Sequence, residues 1–271
     1  MTADALPLVA RTSALTTRIL APNAGPMTLD GTNTYVLRAP GSASVVVVDP
    51  GPLDDDHLAR ITAEGTIELI LLTHHHIDHV EAAPELARRT GAPVRAWDAA
   101  LCADAANLQP RERLEAAGTR IDVLHTPGHT ADSVCFLLAD DATLDGAATA
   151  SVLTGDTILG RGTTVIAPPD GSLGAYLASL GTLHHMGAGT LALPAHGPTL
   201  PDLAAIADRY LTHRRLRLDE VEKALADLGI AAATDAETVA AVTDRVYPQI
   251  APEVRFAAEA STVAQLAYLA G

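Results

Sequence analysis

The stretch Leu69-Ile-Leu-Leu-Thr-His-His-His-Ile-Asp-His-Val80 limits what this chain can fold into more than any other. An apolar run of strand length passes directly into four histidines and an aspartate. Neutral imidazole and carboxylate are the donors that borderline cations such as zinc accept, and the end of a buried strand is a rigid place from which to aim them. His74, His76, Asp78 and His79 fit the pattern H-x-H-x-D-H: residues i and i+2 of an extended chain project to one side, and the next pair rounds the turn into a helix. A histidine-rich run can also be an adventitious surface binder or an expression tag. A tag sits at a terminus, with neither a strand before it nor an aspartate within it.

Three more apolar runs end in the same way. Ile121 to Leu124 leads into His125-Thr-Pro-Gly-His129, where the Pro127-Gly128 turn fixes His129 in place. Val152-Leu-Thr-Gly-Asp156 ends in Asp156, and Thr190-Leu-Ala-Leu-Pro-Ala-His196 ends in His196. Taken singly, an aspartate after a glycine is a turn residue and a lone histidine is a packed one. Taken together, five histidines and two aspartates gather at the ends of four strands, the donor inventory that two adjacent metals require. His125 lies on the body of its strand and reads as a packed or orienting imidazole rather than a ligand.

The rest of the chain supplies a frame for these ends. Leu15–Leu20, Asn33–Leu37 and Ser44–Val48 read as strands, with a turn-rich loop from Asn23 to Thr32 between the first two. His57–Ala63 and Pro84–Thr90 read as helices, Val94–Ala96 as a brief strand, and Val134–Leu138 as a strand leading into a hairpin connection over residues 139–151. Strands and helices alternate, yet several strands are consecutive. A two-sheet sandwich with outer helices fits that order better than a doubly wound sheet. From Asp202 the pattern becomes helical: Asp202–Leu228, closed by Gly229, then Ala236–Val246 and Ser261–Leu269.

The set His74-x-His76-x-Asp78-His79, His129, Asp156 and His196 resembles the ligand signature of the metallo-β-lactamase superfamily, over roughly residues 15 to 200. The resemblance implies an α/β (α+β) fold, an αββα sandwich spanning 1–201, followed by a small helical, winged-helix-like domain over 202–271. More narrowly, Gly25-Pro-Met-Thr-Leu-Asp-Gly-Thr-Asn-Thr-Tyr35 and Thr154-Gly-Asp-Thr-Ile-Leu-Gly160 resemble the β-lactamase-like protein 2 branch, near the glyoxalase II enzymes. Two departures stand out: Glu81-Ala82 replaces a usual pair of glycines, and Ala195 replaces the usual glycine before the last histidine. The ligand assignment that the resemblance implies is His74, His76 and His129 on one Zn2+ and Asp78, His79 and His196 on a second, with Asp156 bridging. Iron and manganese fit the same donors. Asp78 and Asp156 are the implied catalytic carboxylates, around a hydroxide shared by the metals, with Asp78 able to pass a proton to the leaving group.

Such a site fixes the reaction type, hydrolysis, better than the substrate. A small-molecule thioester or related acyl substrate is the first expectation. Single-stranded RNA, met by Arg214, Arg215 and Arg217, is the second. β-Lactam or lactone hydrolysis and di-iron redox chemistry are further alternatives. A net charge of −15, one tryptophan and two phenylalanines weigh against an extended single-strand groove. The His213-Arg-Arg-Leu-Arg217 cluster reads equally as a solvated helix face or a phosphate contact. Thr32, Asn33, Thr130, Thr163, Thr164 and Tyr210 flank the metal loops and read as caps and turn residues. The two cysteines, Cys102 and Cys135, make no framework and read as small buried thiols, and the Met1–Pro7 start has no signal-like apolar core. A cytoplasmic protein without a membrane span is the expectation.

Overall fold

Eleven strands and seven helices are arranged in a computed structural model of the chain, which describes residues 6–147 and 149–271, apart from the side chain of Glu253. The start of the chain before residue 6, read above as lacking a signal-like core, lies outside the described residues. The first sheet is built from β1 (Val9–Arg11), β2 (Thr16–Leu20), β3 (Asn33–Leu37), β4 (Ser44–Val48), β5 (Thr66–Leu71) and β6 (Val94–Arg95), side by side in that order. Its first four strands pair antiparallel, and β4, β5 and β6 run parallel. Parallel neighbours need a crossover. Helix α1 (Asp55–Ala63) makes the β4–β5 crossover, while α2 (Ile77–Val80) and α3 (Ala83–Thr90) connect β5 to β6.

The second sheet holds β7 (Arg113–Ala116), β8 (Thr119–His125), β9 (Val134–Leu138), β10 (Ser151–Gly155) and β11 (Leu191–Pro194) in the order β11-β10-β9-β8-β7. Helix α4 (Leu173–His184) crosses from β10 to its parallel partner β11. Helices α5 (Leu203–Leu228), α6 (Ala236–Val246) and α7 (Arg255–Ala270) follow. The 202–271 stretch is helical throughout its regular structure, and no strand pair that could form a wing occurs there among the described residues.

Period-two alternation builds the layers. In β4, Val46 and Val48 face inward onto Ile121, Val123, Phe136 and Leu153 of the other sheet. Val45 and Val47 face outward onto Leu58 and Ile61 of α1 and Leu86 of α3. Because both faces are covered, the strand reads as an unbroken valine run rather than an alternation. On the far side, Cys135, Val152 and Ala192 pack against Tyr176 and Leu180 of α4 and Leu203, Ala207 and Tyr210 of α5. The result is the expected αββα sandwich. Helix α5 contributes to two cores: its first half covers the sandwich, and Val221, Ala224 and Leu225 join Val239, Val242 and Leu266 in a separate cluster. Asp202 caps it, accepting from Ala205 N, and Gly229 closes it in the left-handed conformation.

Three elements were not read from the sequence. They are the edge strands β1 and β7, and α4, whose Leu173, Tyr176, Leu180 and Leu183 are buried. Cys135 is buried as expected, which pushes its thiol up to about 11, whereas Cys102 is only half-buried. No helix among the described residues is long and apolar enough to cross a membrane.

Candidate metal centre

The seven donors meet at one edge of the sandwich. His74 and His76 follow β5, Asp78 and His79 belong to α2, His129 lies in the turn after β8, and Asp156 and His196 lie just past β10 and β11. Two glycines permit this convergence. Gly128 adopts φ 139°, and a Cβ there would stand 2.3 Å from Tyr176 Cα, so α4 seats directly beneath the His129 turn. Gly155 adopts φ 50°, and its Cβ would press on the Thr73 side chain at 2.9 Å, so the chain carries Asp156 close past the start of the histidine loop.

One group, His74, His76, His129 and Asp156, and a second, Asp78, His79 and His196, each offer one ligand-capable atom per residue, all within 4.8 Å of one another. His76 Nδ1 lies 3.0 Å from His74 Nε2 and 3.1 Å from His129 Nε2. Asp156 stands between the groups: Oδ2 is 3.6 Å from His129 Nε2, while Oδ1 is 3.3 Å from His196 Nε2 and 3.7 Å from His79 Nε2. Asp78 Oδ2 lies 3.3 Å from His196 Nε2 and 3.4 Å from His79 Nε2.

This arrangement fits a bound cation. Three imidazole nitrogens facing one another cannot all be satisfied by ring protons, and the buried His79 Nε2 and Asp156 Oδ1 have no hydrogen-bond partner. Burial pushes His74 well below the ordinary imidazole range, with His79 adding to it; burial and then His129 bring His76 down to about 4. Both rings are therefore in the neutral, ligating form at pH 7. Around the second group burial opposes charge but the neighbours outweigh it. His196 is raised to about 10 beside Asp156 and Asp78, His79 is raised beside Asp49 and Asp156, and Asp78 is drawn down to about 2 by His196 and His79. Asp156 is held well below the carboxylate range, chiefly by His196 and His79 against burial. A cation placed among these carboxylates and imidazoles would answer the same electrostatic demand.

A second layer of contacts orients these donors. Asp49, the residue that follows β4, is the principal member. Its Oδ1 accepts from Thr73 N at 2.8 Å, and its Oδ2 accepts from Thr73 Oγ1 at 2.7 Å and from His79 Nδ1 at 2.9 Å. Its φ of 51° turns the carboxylate back under the histidine loop. The signal in the sequence was a four-valine strand ending in Asp-Pro-Gly, where an aspartate tolerates the left-handed region. Thr32 Oγ1 donates to Asp78 Oδ2 at 3.0 Å, so a residue set aside as a turn former touches a donor. Asn33 Nδ2 donates to the carbonyls of Pro194 and Gly197, on either side of His196.

His125 stands outside both groups, as expected, but it is exposed rather than packed in the core. Its ring stacks on Trp97 at 3.7 Å and 6°. His125→Gln should therefore keep full metal content and most activity, whereas His129→Gln should lose one metal equivalent, as read by elemental analysis of each variant. Equal losses would show that the wrong histidine had been assigned. Glu81 does not face the donors: its Oε2 accepts from Leu53 N at 3.0 Å. Ala82 and Ala195, the other departures, are buried and accommodated. The basic cluster does not form one face. Arg214 turns inward and is 4% exposed, Arg215 is exposed, and Arg217 lies over Tyr247 at 5.5 Å while pairing with Glu220 at 2.6 Å. An open recess of about 500 Å³ lies beside His75 of the histidine loop, with Trp97, Asp132 and Asp170 on its walls. His75 Nδ1 is 2.9 Å from Asp132 Oδ1 there.

The chain is similar to known proteins. The model of the family described as "Metallo-beta-lactamase superfamily" matches residues 27–196. An atrochrysone carboxyl ACP thioesterase of Aspergillus chevalieri is 32% identical over 234 residues, which cover 81% of this chain and 68% of that one. A lactamase-like protein of Penicillium aethiopicum is 34% identical over 230 residues, covering 83% and 70%. Among solved structures, a beta-lactamase domain protein from Burkholderia ambifaria matches with a TM-score of 0.76 over 99% of this chain and 92% of that one. At 20% identity this is a likeness of fold alone.

Proposed function

The chain belongs to the metallo-beta-lactamase superfamily, and from that premise we propose that it is a dinuclear metal-dependent hydrolase acting on a thioester or related acyl substrate. The observation that carries this reading is the position of Asp156, whose two oxygens face the two donor groups from between them. In the proposal His74, His76 and His129 hold one cation, Asp78, His79 and His196 the other, and Asp156 both. Zinc suits the mixed imidazole and carboxylate set best, with iron and manganese as alternatives. Two such cations supply Lewis acidity and an activated water.

The residues of the chain do the remainder. His129 Nδ1 donates to the Val165 carbonyl at 2.9 Å and His196 Nδ1 to the Gly31 carbonyl at 3.2 Å, which turns each Nε2 toward the centre. Thr32 holds the Asp78 carboxylate in one orientation. In the proposal Asp78 is committed to a cation and carries no proton to pass on. That suits a leaving group which departs as an anion unaided. A thiolate, whose conjugate acid has a pKa of about 8.5, is such a group, while an alkoxide or amide is not. The printed name of the Aspergillus relative points the same way. The narrower likeness to the β-lactamase-like protein 2 and glyoxalase II branch rests on the 25–35 and 154–160 loop sequences.

The test is a metal analysis of protein purified without chelators, together with parallel assays on a thioester, a β-lactam, a phosphodiester and single-stranded RNA. Two metal equivalents and thioester hydrolysis that is lost on chelation and restored by zinc are expected. Efficient RNA cleavage with an inert thioester would transfer the reading to a nuclease, and absence of metal would end it.

A further inference from the structure

Arg214 is a buried cation bonded to no carboxylate among the described residues, an arrangement that costs solvation unless other groups compensate. Its partners all lead to the loops that carry metal donors. Nη2 donates to the Thr164 carbonyl, and the guanidinium carbon sits 5.2 Å from the centroid of the Tyr176 ring, within cation–π range. The Tyr176 hydroxyl donates at 2.7 Å to the carbonyl of Thr157, the neighbour of Asp156. The Thr164 hydroxyl donates to the carbonyl of Asp156 itself, and the next carbonyl, that of Val165, is the acceptor for His129 Nδ1. One turn earlier on α5, the Tyr210 hydroxyl donates to the Gly162 carbonyl at 2.9 Å.

We propose that Arg214 is a positioning residue for the metal centre: from the C-terminal helix it fixes the 156–165 segment, and through that segment the orientation of Asp156 and His129. The inference rests on the reading of the centre given above. It carries a built-in asymmetry. Asp78, His79 and His196 are oriented by Thr32, Asp49 and Asn33, none of which touches Arg214. In the 156–165 segment the Val165 carbonyl orients His129 alone, while Asp156 faces both groups. Loss of Arg214 should therefore loosen the metal held with His129 more than the other, which shares Asp156 but keeps three donors oriented elsewhere.

The experiment titrates the metal-free, full-length protein with zinc in competition with a chromophoric chelator, and records the visible spectrum of the cobalt-substituted form. In R214M one equivalent should bind about 10- to 100-fold more weakly, the range for lost support of a ligand, while the other weakens far less. R214K keeps the charge and one donor and should fall between R214M and the wild type. T164V leaves Arg214 and the Thr164 carbonyl in place but removes the bond to Asp156, and should weaken the same equivalent. It also carries the test if R214M does not fold. Unchanged affinity for both equivalents with only a lower melting temperature would make Arg214 a packing residue and overturn the proposal, and so would equal weakening of both. Wild-type protein that takes up no metal would overturn the function proposed above along with it, whereas two metals bound with an inert thioester would overturn only the substrate.

Discussion

Replacing Asp156 with alanine should lower turnover by roughly a thousandfold or more, on the scale of removing an electrostatic partner of the transition state. The side chain has no substitute. Its two oxygens are the groups that face His129 on one side and His196 and His79 on the other, so alanine leaves two donor sets with nothing between them. The carboxylate is also what holds His196 up to about 10 against burial, so its removal changes the charge of the metal-free centre as well as its reach. The fold should survive, because Asp156 sits past the end of β10 and its neighbours in the sheet are untouched. The measurements are steady-state turnover and metal content, with circular dichroism to confirm folding. Turnover near that of the parent chain in a folded Asp156→Ala protein would rule out a bridging carboxylate.

The second large effect should come from a residue that touches no metal. In Asp49→Asn the shape is kept, and the left-handed φ of 51° is one that asparagine adopts readily. The chemistry is not kept. Asp49 Oδ2 accepts from both Thr73 Oγ1 and His79 Nδ1, and an amide nitrogen at that position would donate to Nδ1 instead. His79 would then carry its proton on Nε2, the atom that faces Asp78 and Asp156. A protonated nitrogen cannot ligate. Metal affinity of the second group should fall about 10- to 100-fold, and activity with it, while melting of the metal-free protein shifts far less. Equal metal affinity in Asp49→Asn and the parent chain would mean that His79 needs no such orientation.

The candidate donors are legible in the sequence because they sit at or just past the ends of apolar runs, so chemistry and strand pattern point to the same residues. The four-layer order could be read for the same reason: valine runs such as Ser44–Val48 are apolar on both faces only when both faces are covered. Helix α4 escaped because Gly174, Ser179, Gly181 and Thr182 interrupt its stripe, and its helicity is imposed by packing against β10 and α5. Strand β1 is three residues long with both ends exposed, and β7 alternates exposed Arg113 and Glu115 with buried Leu114 and Ala116, so both resemble loop composition. Asp49, Thr32 and Thr164 escaped for another reason. Their partners lie 24 to 46 residues away or in a neighbouring loop, and no local spacing records such a contact. Arg214 was read with its basic neighbours as a face, although successive residues on a helix point about 100° apart and only packing decides which of them is buried.

The stacked pair Trp97 and His125 has a practical consequence. Trp97 is the only tryptophan in the chain, and it stands with His75 on the wall of the open recess. Emission excited at the red edge of the indole band, where the five tyrosines do not absorb, therefore originates at a single known location, the wall of this recess. A molecule that enters the recess, or a shift of the His125 ring at 3.7 Å, changes the surroundings of that one fluorophore, so occupancy can be followed in real time without a dye attached to the chain.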